Sequence, residues 1–360
     1  MREIIFYAPL GYKIPEYRIG GAESGCRRTL GIYRKADYHV HYIDKPAISR
    51  GKLIYALGLA FVPLHLVSLM LIYKKAPVHI VGFYCKLASY ELFLIKLIHL
   101  FNHKVIYEMR NGNAIQSYNE GSNKYRRAFS KLITTPEIVF GQGEEIVRFI
   151  YERWKIKRNC YPNYVSNNFL QERTNPDPGT INLIYFGRVT EEKNIDVCIR
   201  VLGIIRQSGY NACLHIVGAF QKEYKSELDQ VIKREKVLDQ VIFHGRKDSA
   251  FILNQLLKSR YFLFPSSNVL EGHSNSLTEA MAVGVVPVVS KAGFNESVCD
   301  ESDLIVDCIS AEKFAKVIIK IEKENRWEEY SIKVRKRIEE NYTEDIVGKK
   351  FISTINSLYE

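Results

Sequence analysis

YFLFPSSNVLEGHSNSLTEAMAVGVVPVVS, residues 261–290, is the stretch on which the fold turns. Tyr261 to Phe264 is continuously apolar and stops at Pro265, the pattern of a short strand buried on both faces. Ser276 stands three residues before Glu279, a capping-box spacing, so a helix is expected to start there and carry Glu279 inside it. A second apolar run at 285–289 is the next strand. Strand, helix and strand in this succession make a parallel sheet with helices on its faces.

Outward from this unit the same alternation fills the chain. Strands are expected at 3–8, 38–43, 78–82, 104–108, 137–140 and 160–165, then at 182–187, 213–217, 241–243, 261–264, 285–289 and 304–306. Helix-length segments lie between them at 89–101, 122–133, 193–208, 221–236 and 311–324. Gln171 to Thr180, QERTNPDPGT, is the strongest turn-and-linker cluster, and it divides the chain into domains at 1–170 and 171–342. The expected fold class is therefore α/β, two doubly wound Rossmann-like domains. In such sheets ligands sit at the carboxyl ends of the strands, which with two domains places the site in the cleft they share.

Composition narrows the function. The 360 residues are 46% hydrophobic and 25% charged, which excludes disordered and collagen-like chains. Seven scattered cysteines without a CxxC argue against a disulfide framework or zinc site and for a reducing compartment. Met1-Arg2-Glu3 runs straight into a strand pattern, unlike a secretory signal. The net charge of +11 is uneven: residues 1–170 hold 25 Lys+Arg against 12 Asp+Glu, and residues 171–360 hold 26 against 28. A basic first half suits nucleic acid or an anionic membrane. Leu53 to Tyr73 carries no formal charge over twenty-one residues, long enough to span a bilayer. Pro63 and His65 in its middle, and the strand that follows Lys74-Lys75, make a buried or membrane-surface helix the better expectation.

Three motifs carry chemistry. Gly20-Gly21-Ala22-Glu23 follows the first strand and opens a helix, so it is either a plain loop-to-helix turn or an anion site at a helix end. Phe186-Gly187-Arg188 with Lys193 places two cations at the end of a buried strand. They suit a diphosphate, unless Arg188 merely pairs with Glu191 or Glu192. Residues 265–284 bring Glu271 in a loop and Glu279 in a helix to another strand end. Glu279 as a capping residue and Glu271 as a solvated loop residue are the plainer alternatives.

FGR-x4-K at 186–193, HIVG at 215–218, VIFHG at 241–245 and EGHSNSLTEAMAVGVVPVVS at 271–290 resemble the donor domain of family 4 glycosyltransferases. GGAE at 20–23 is similar to that family's N-terminal glycine loop, and Pro162-Asn163-Tyr164-Val165 to its entry into the second domain. The resemblance is close over 180–300 and looser over 1–165. It implies the GT-B fold, a helix at about 343–360 crossing back to the first domain, and retaining transfer from a nucleotide sugar of UDP or GDP type. Arg188 and Lys193 would hold the donor diphosphate, with Gly187 and the backbone of Ser276, Leu277 and Thr278 around it. Glu279 would take the ribose hydroxyls and Glu271 the donor sugar, near the reacting carbon. Gly20 and Gly21 would face the donor from the first domain. Glu271, Arg188 and Lys193 are thus the expected catalytic set, His273 is a further candidate for the sugar, and no metal or cofactor is implied. No Asp-x-Asp stands at a strand end.

The resemblance has one departure. Many members carry a His after the strand equivalent to 104–108, where this chain reads Glu108-Met109-Arg110-Asn111-Gly112-Asn113. Glu108 or Arg110 occupies its place, in an acceptor-binding, structural or catalytic role. The expected acceptor is a lipid-linked sugar or polysaccharide of cell-surface glycans such as lipopolysaccharide or capsule. The protein would then work in the cytoplasm, peripherally on the inner face of the membrane. Alternatives are another enzyme on the same fold, a non-catalytic scaffold of this fold, or a basic nucleic-acid-binding protein, for which no zinc-finger, helix-turn-helix or RNA-binding signature is present. The G-x-G-x-x-G of a dinucleotide oxidoreductase is missing after the first strand.

Overall fold

The computed structural model describes residues 2–15, 19–82, 85–110, 112–171, 177, 179–268 and 271–359. The chain forms two compact units, residues 1–163 with 347–360, and residues 164–346. The first holds strands β1 (Arg2–Ala8), β2 (Tyr38–Asp44), β3 (Val78–Gly82), β4 (Val105–Met109), β5 (Ile138–Gly141) and β6 (Asn159–Cys160), ordered β2-β1-β3-β4-β5-β6. The second holds β7 (Ile181–Phe186), β8 (Ala212–Val217), β9 (Val241–Gly245), β10 (Tyr261–Phe264), β11 (Val286–Ser290) and β12 (Ile305–Val306), ordered β12-β11-β10-β7-β8-β9. Every pairing is parallel. β3, β4, β10 and β11 are buried at every residue, as their unbroken apolar runs require. Both units are doubly wound, as expected.

The strand order locates the switch points. In the second sheet β7 neighbours β10, and successive strands run off to either side. The carboxyl ends of these two strands open a crevice between the loops that follow them. In the first sheet the same reversal lies between β1 and β3.

Two expectations are corrected. The strand expected over 160–165 ends at Cys160, because Pro162 has no N–H to offer a ladder. Beyond it, Val165 pairs with Thr343: Val165 N donates to Tyr342 O at 2.8 Å, and Glu344 N donates to Val165 O at 3.2 Å. That pairing ties the entering and leaving segments together inside the second unit. The units accordingly divide at Asn163/Tyr164 and Ile346/Val347 rather than at 170/171 and 342/343. Of the expected linker, 172–176 and 178 lie outside the described residues. The last helix, Glu344–Asn356, ends in the first unit, where Phe351 stacks on Tyr161 with ring centroids 4.1 Å apart.

Candidate active site

Two loops meet at the second unit's switch point. After β7 the chain turns at Gly187, whose φ of +144° suits glycine alone. Its carbonyl oxygen lies where a Cβ on Gly218 would come within 1.7 Å, so the two backbones approach this closely because Gly218 lacks a side chain. The turn runs to Lys193, which is 6% exposed. After β10 the chain runs from Pro265 to Glu271. The Lys193 ammonium donates to the Glu271 carboxylate, and Ser266 bonds both: its hydroxyl donates to Glu271 Oε2 at 3.0 Å and accepts from Lys193 Nζ at 3.4 Å. The Lys193 stem crosses the Phe264 ring, with Nζ 5.1 Å from its centroid. The Glu271 side chain keeps 13% of its surface open and that of Lys193 8%. The result is a paired but accessible cation and carboxylate where this fold class binds ligands.

Arg188 differs from Lys193. Its side chain is 70% exposed and, among the described residues, pairs with Glu192 at 3.9 Å, a contact that solvent screens. Its carbonyl accepts from the Tyr185 hydroxyl at 2.7 Å, which fixes the backbone but not the guanidinium. One cation is held and the other is free to close on an anion.

The helix after Glu271 is Asn275–Ala282, and its cap is Ser274, not Ser276: the Ser274 hydroxyl accepts from Leu277 N at 3.4 Å. Glu279 therefore stands beyond the cap position that the capping-box spacing gave it, on the half-buried flank of the helix. The Thr278 amide is spent on Ser274 O, and its buried hydroxyl donates to the carbonyls of Ser274 and Asn275. Of the three amides expected to face phosphate, those of Leu277 and Thr278 are thus engaged inside the helix turn. Ser276 is half-buried and its hydroxyl bonds that of Ser274 at 3.0 Å. His273 is 4% exposed and packs edge-on against Tyr342, with centroids 4.8 Å apart. Burial, and then the Arg337 charge, push its imidazole down to about 3, so it is neutral at physiological pH.

In the first unit, Gly20 caps the helix Gly21–Lys35, and its amide donates to Glu23 Oε2 at 2.9 Å. Glu108 and Arg110 are sealed together. Arg110 Nε donates to Glu108 Oε1, Glu108 Oε2 lies 3.2 Å from His79 Nε2, and His79 Nδ1 bonds the Tyr33 hydroxyl at 2.9 Å. Arg110 Nη2 donates to Thr29 Oγ1 at 3.2 Å. A Cβ on Gly25 would come within 2.1 Å of Arg110 Nη1, so that glycine is what admits the guanidinium. Burial alone would raise the Glu108 carboxyl, but Arg110 and then His79 hold it below the usual range. Burial pushes the His79 imidazole down despite its bond to Glu108. Neither Glu108 nor Arg110 is presented to solvent as an acceptor-binding group would be. Asn111 lies outside the described residues.

Comparison with known proteins decides the family. The model of glycosyl transferases group 1 matches residues 166–345, half of the chain. The chain belongs to that family. It is a glycosyltransferase with two Rossmann-like domains of the GT-B fold. No curated protein sequence matches it. Among solved structures, sucrose-phosphate synthase from Thermosynechococcus elongatus superposes with a TM-score of 0.79 at 15% identity, covering 100% of this chain and 99% of that one. A glycosyltransferase from Rickettsia africae gives 0.76 at 12% identity, with 100% and 99% covered. HepE from Anabaena in complex with UDP gives 0.74 at 14% identity, with 99% and 100% covered.

Sequence reading missed four residues that build this candidate site. Ser266 joins Lys193 to Glu271. Ser290, at the end of β11, donates to Ser266 O at 2.5 Å and fixes that serine's backbone. Asn194, in the left-handed region at φ +51°, donates through Nδ2 to Pro265 O at 2.8 Å and Ser267 Oγ at 3.0 Å, pinning one loop to the other. Gly293, at φ +57°, lies so close to the Glu271 carbonyl that a Cβ would approach it to 1.9 Å. The only sequence signal was small polar residues directly after apolar strands; their partners are far away in the chain.

Proposed function

We propose that the protein is a retaining glycosyltransferase that draws on a UDP- or GDP-type nucleotide sugar and glycosylates a lipid-linked or polysaccharide acceptor of the cell surface. The observation that carries the donor site is the Lys193–Glu271–Ser266 cluster at the β7/β10 switch point. HepE, similar in fold, has been solved with UDP and with UDP-glucose, which is the chemistry this cluster fits. In the reaction Lys193 turns from Glu271 toward the donor diphosphate and Arg188 closes on it from solvent, so positive charge meets the leaving group. Glu271, released from Lys193, accepts bonds from donor sugar hydroxyls, and Glu279 accepts from those of the ribose.

The bond from the anomeric carbon to the β-phosphate oxygen breaks, and the acceptor oxygen bonds that carbon on the same face. The acceptor's proton passes to the departing phosphate. Charge stabilisation comes from the Lys193 and Arg188 side chains, so the reading requires no metal. The acceptor belongs to the basic first unit, whose cations suit an anionic lipid or glycan on the inner face of the cytoplasmic membrane.

The test is turnover. Purified protein is given UDP- and GDP-sugars with lipid-linked acceptors, in the presence of a chelator, and the product's anomeric centre is read by NMR. Transfer with the donor's own anomeric configuration is expected. Product of inverted configuration, or none from any donor, would sink the reading in favour of an inverting enzyme or a non-catalytic scaffold.

A further inference from the structure

The helix Lys52–Ile72 is apolar all round, yet it is not a core helix. One stripe, Val62, Leu66 and Met70, is buried against the first unit. The opposite stripe is bare: Leu53, Leu57, Phe61, Leu64, Leu71 and Ile72 are all exposed, Leu53 at 73% and Leu64 at 66%. Both stripes follow the helical period, so one flank faces protein and the other faces outward along the whole length. On the neighbouring helix Ala88–Leu100, Phe93 and Leu100 are also exposed. Apolar surface of this extent marks an interaction site.

Two features choose the occupant. The first is charge. Arg50 precedes the helix, Lys52 opens it, Lys74 and Lys75 follow it, and all four are exposed. A cavity of about 280 Å³ opens beside Ile54 and Phe61, lined also by Lys13 and Arg50, neither of which has an ion-pair partner among the described residues. Asp44, in the same wall, is occupied by the amides of Leu10, Gly11 and Tyr12. Cations framing an apolar flank fit phosphate headgroups above acyl chains.

The second feature is how the helix is held. Pro63 cannot donate to Leu59 O, and the Tyr90 hydroxyl donates to that carbonyl instead, at 2.7 Å. Gly58 packs where a Cβ would meet Pro46 at 2.8 Å, and His103 Nε2 lies 3.2 Å from Met70 O. At about 1.5 Å per residue the helix could cross a bilayer. Pinned sideways at its middle and at its end, it presents only a flank.

We infer that Lys52–Ile72 lies in the plane of an anionic bilayer, with its Leu53–Phe61–Leu64–Ile72 flank among the acyl chains and Lys13 and Arg50 at the headgroup phosphates. This deepens the membrane-associated part of the proposed function and assigns it to one element.

The test is vesicle flotation of the full chain with phosphatidylglycerol or pure phosphatidylcholine vesicles, alongside alkaline-carbonate extraction. Binding to the anionic vesicles alone, weakened by salt and released by carbonate, is expected. Phe61→Ser/Leu64→Ser should lower the partition coefficient by at least about tenfold, because each large apolar side chain kept from lipid forfeits roughly that factor. Lys13→Gln/Arg50→Gln, which removes only exposed charges, should weaken anionic binding without changing the melting temperature, and covers the case in which the apolar variant fails to fold. Resistance to carbonate would overturn the inference in favour of a span. A dimer in light scattering that the apolar variant splits, without vesicle binding, would assign the flank to a second copy and overturn it equally. A nucleotide-induced thermal shift is read on the same samples. Lost vesicle binding with that shift intact rejects the helix assignment alone, whereas a missing shift rejects the donor site.

Discussion

Each unit of this glycosyltransferase places a cation and a carboxylate at the carboxyl ends of a parallel sheet, and the two pairs are built differently. Glu108 and Arg110, at the end of β4, are closed in by His79, Thr29 and Tyr33, with Glu108 fully buried. Lys193 and Glu271, after β7 and β10, keep part of their surface open and share, among the described residues, the small hydroxyl of Ser266. A fully buried carboxylate is costly to leave unpaired, so Glu108 holds its partners. An accessible pair can trade its internal partner for a ligand. On the proposed function, the difference separates a structural strut from a pair that a ligand can open.

The sharpest way to break this contrast is to remove one partner from each pair. Lys193→Ala or Glu271→Ala should lower transfer by about 10²–10³, the usual loss when a charge-stabilising contact at a reacting centre is deleted. Initial rates, normalised to folded protein, provide the check. Arg110→Met should instead cost about 3–5 kcal/mol of stability, because Glu108 is left buried and uncompensated. Denaturant melts measure this, and joint replacement with Glu108→Leu should recover part of the loss. If Arg110→Met cut turnover per folded molecule as deeply as Lys193→Ala, the strut reading would be wrong.

Acid should act through buried imidazoles. His273 is held down to about 3 and His215 to about 4, by burial first in both cases, while the unfolded chain titrates near 6.5. Between those values the unfolded state binds more protons, so stability rises with pH and is lost as pH falls below about 6.5. For His273 alone the loss from pH 7 to 5 should be about 2 kcal/mol. His273→Phe should flatten the melting-temperature profile over that range, and an unchanged slope would show that His273 is not the group that titrates. The smallest effect is expected for Ser266→Ala. Losing its bonds should cost about 1 kcal/mol and raise the donor KM several-fold while leaving kcat nearly unchanged. A fall in kcat of the size seen for Lys193→Ala would make Ser266 part of the reacting centre.

Most strands and all five helix-length segments were legible, because a buried parallel strand must be an unbroken apolar run whatever its partner. The pairings were not. Ser276 and Glu279 have capping-box spacing, but the turn that forms uses Ser274, one of several adjacent hydroxyls that spacing does not rank. Lys193 and Glu271 could each be named from their own motifs. That they bind one another through Ser266 depends on contacts seventy-odd residues apart in sequence. From sequence, Glu108 and Arg110 stay open between acceptor-binding, structural and catalytic roles, because nothing in it shows that Gly25 admits the guanidinium.

On the proposed function, Lys193 leaves Glu271 for a diphosphate. Isothermal titration of the wild type and of Lys193→Ala with UDP and with GDP tests this most directly. The account predicts measurable binding of one nucleotide by the wild type, and its loss in the variant with the fold intact. Equal binding by both proteins, or none by the wild type at millimolar nucleotide, would contradict it.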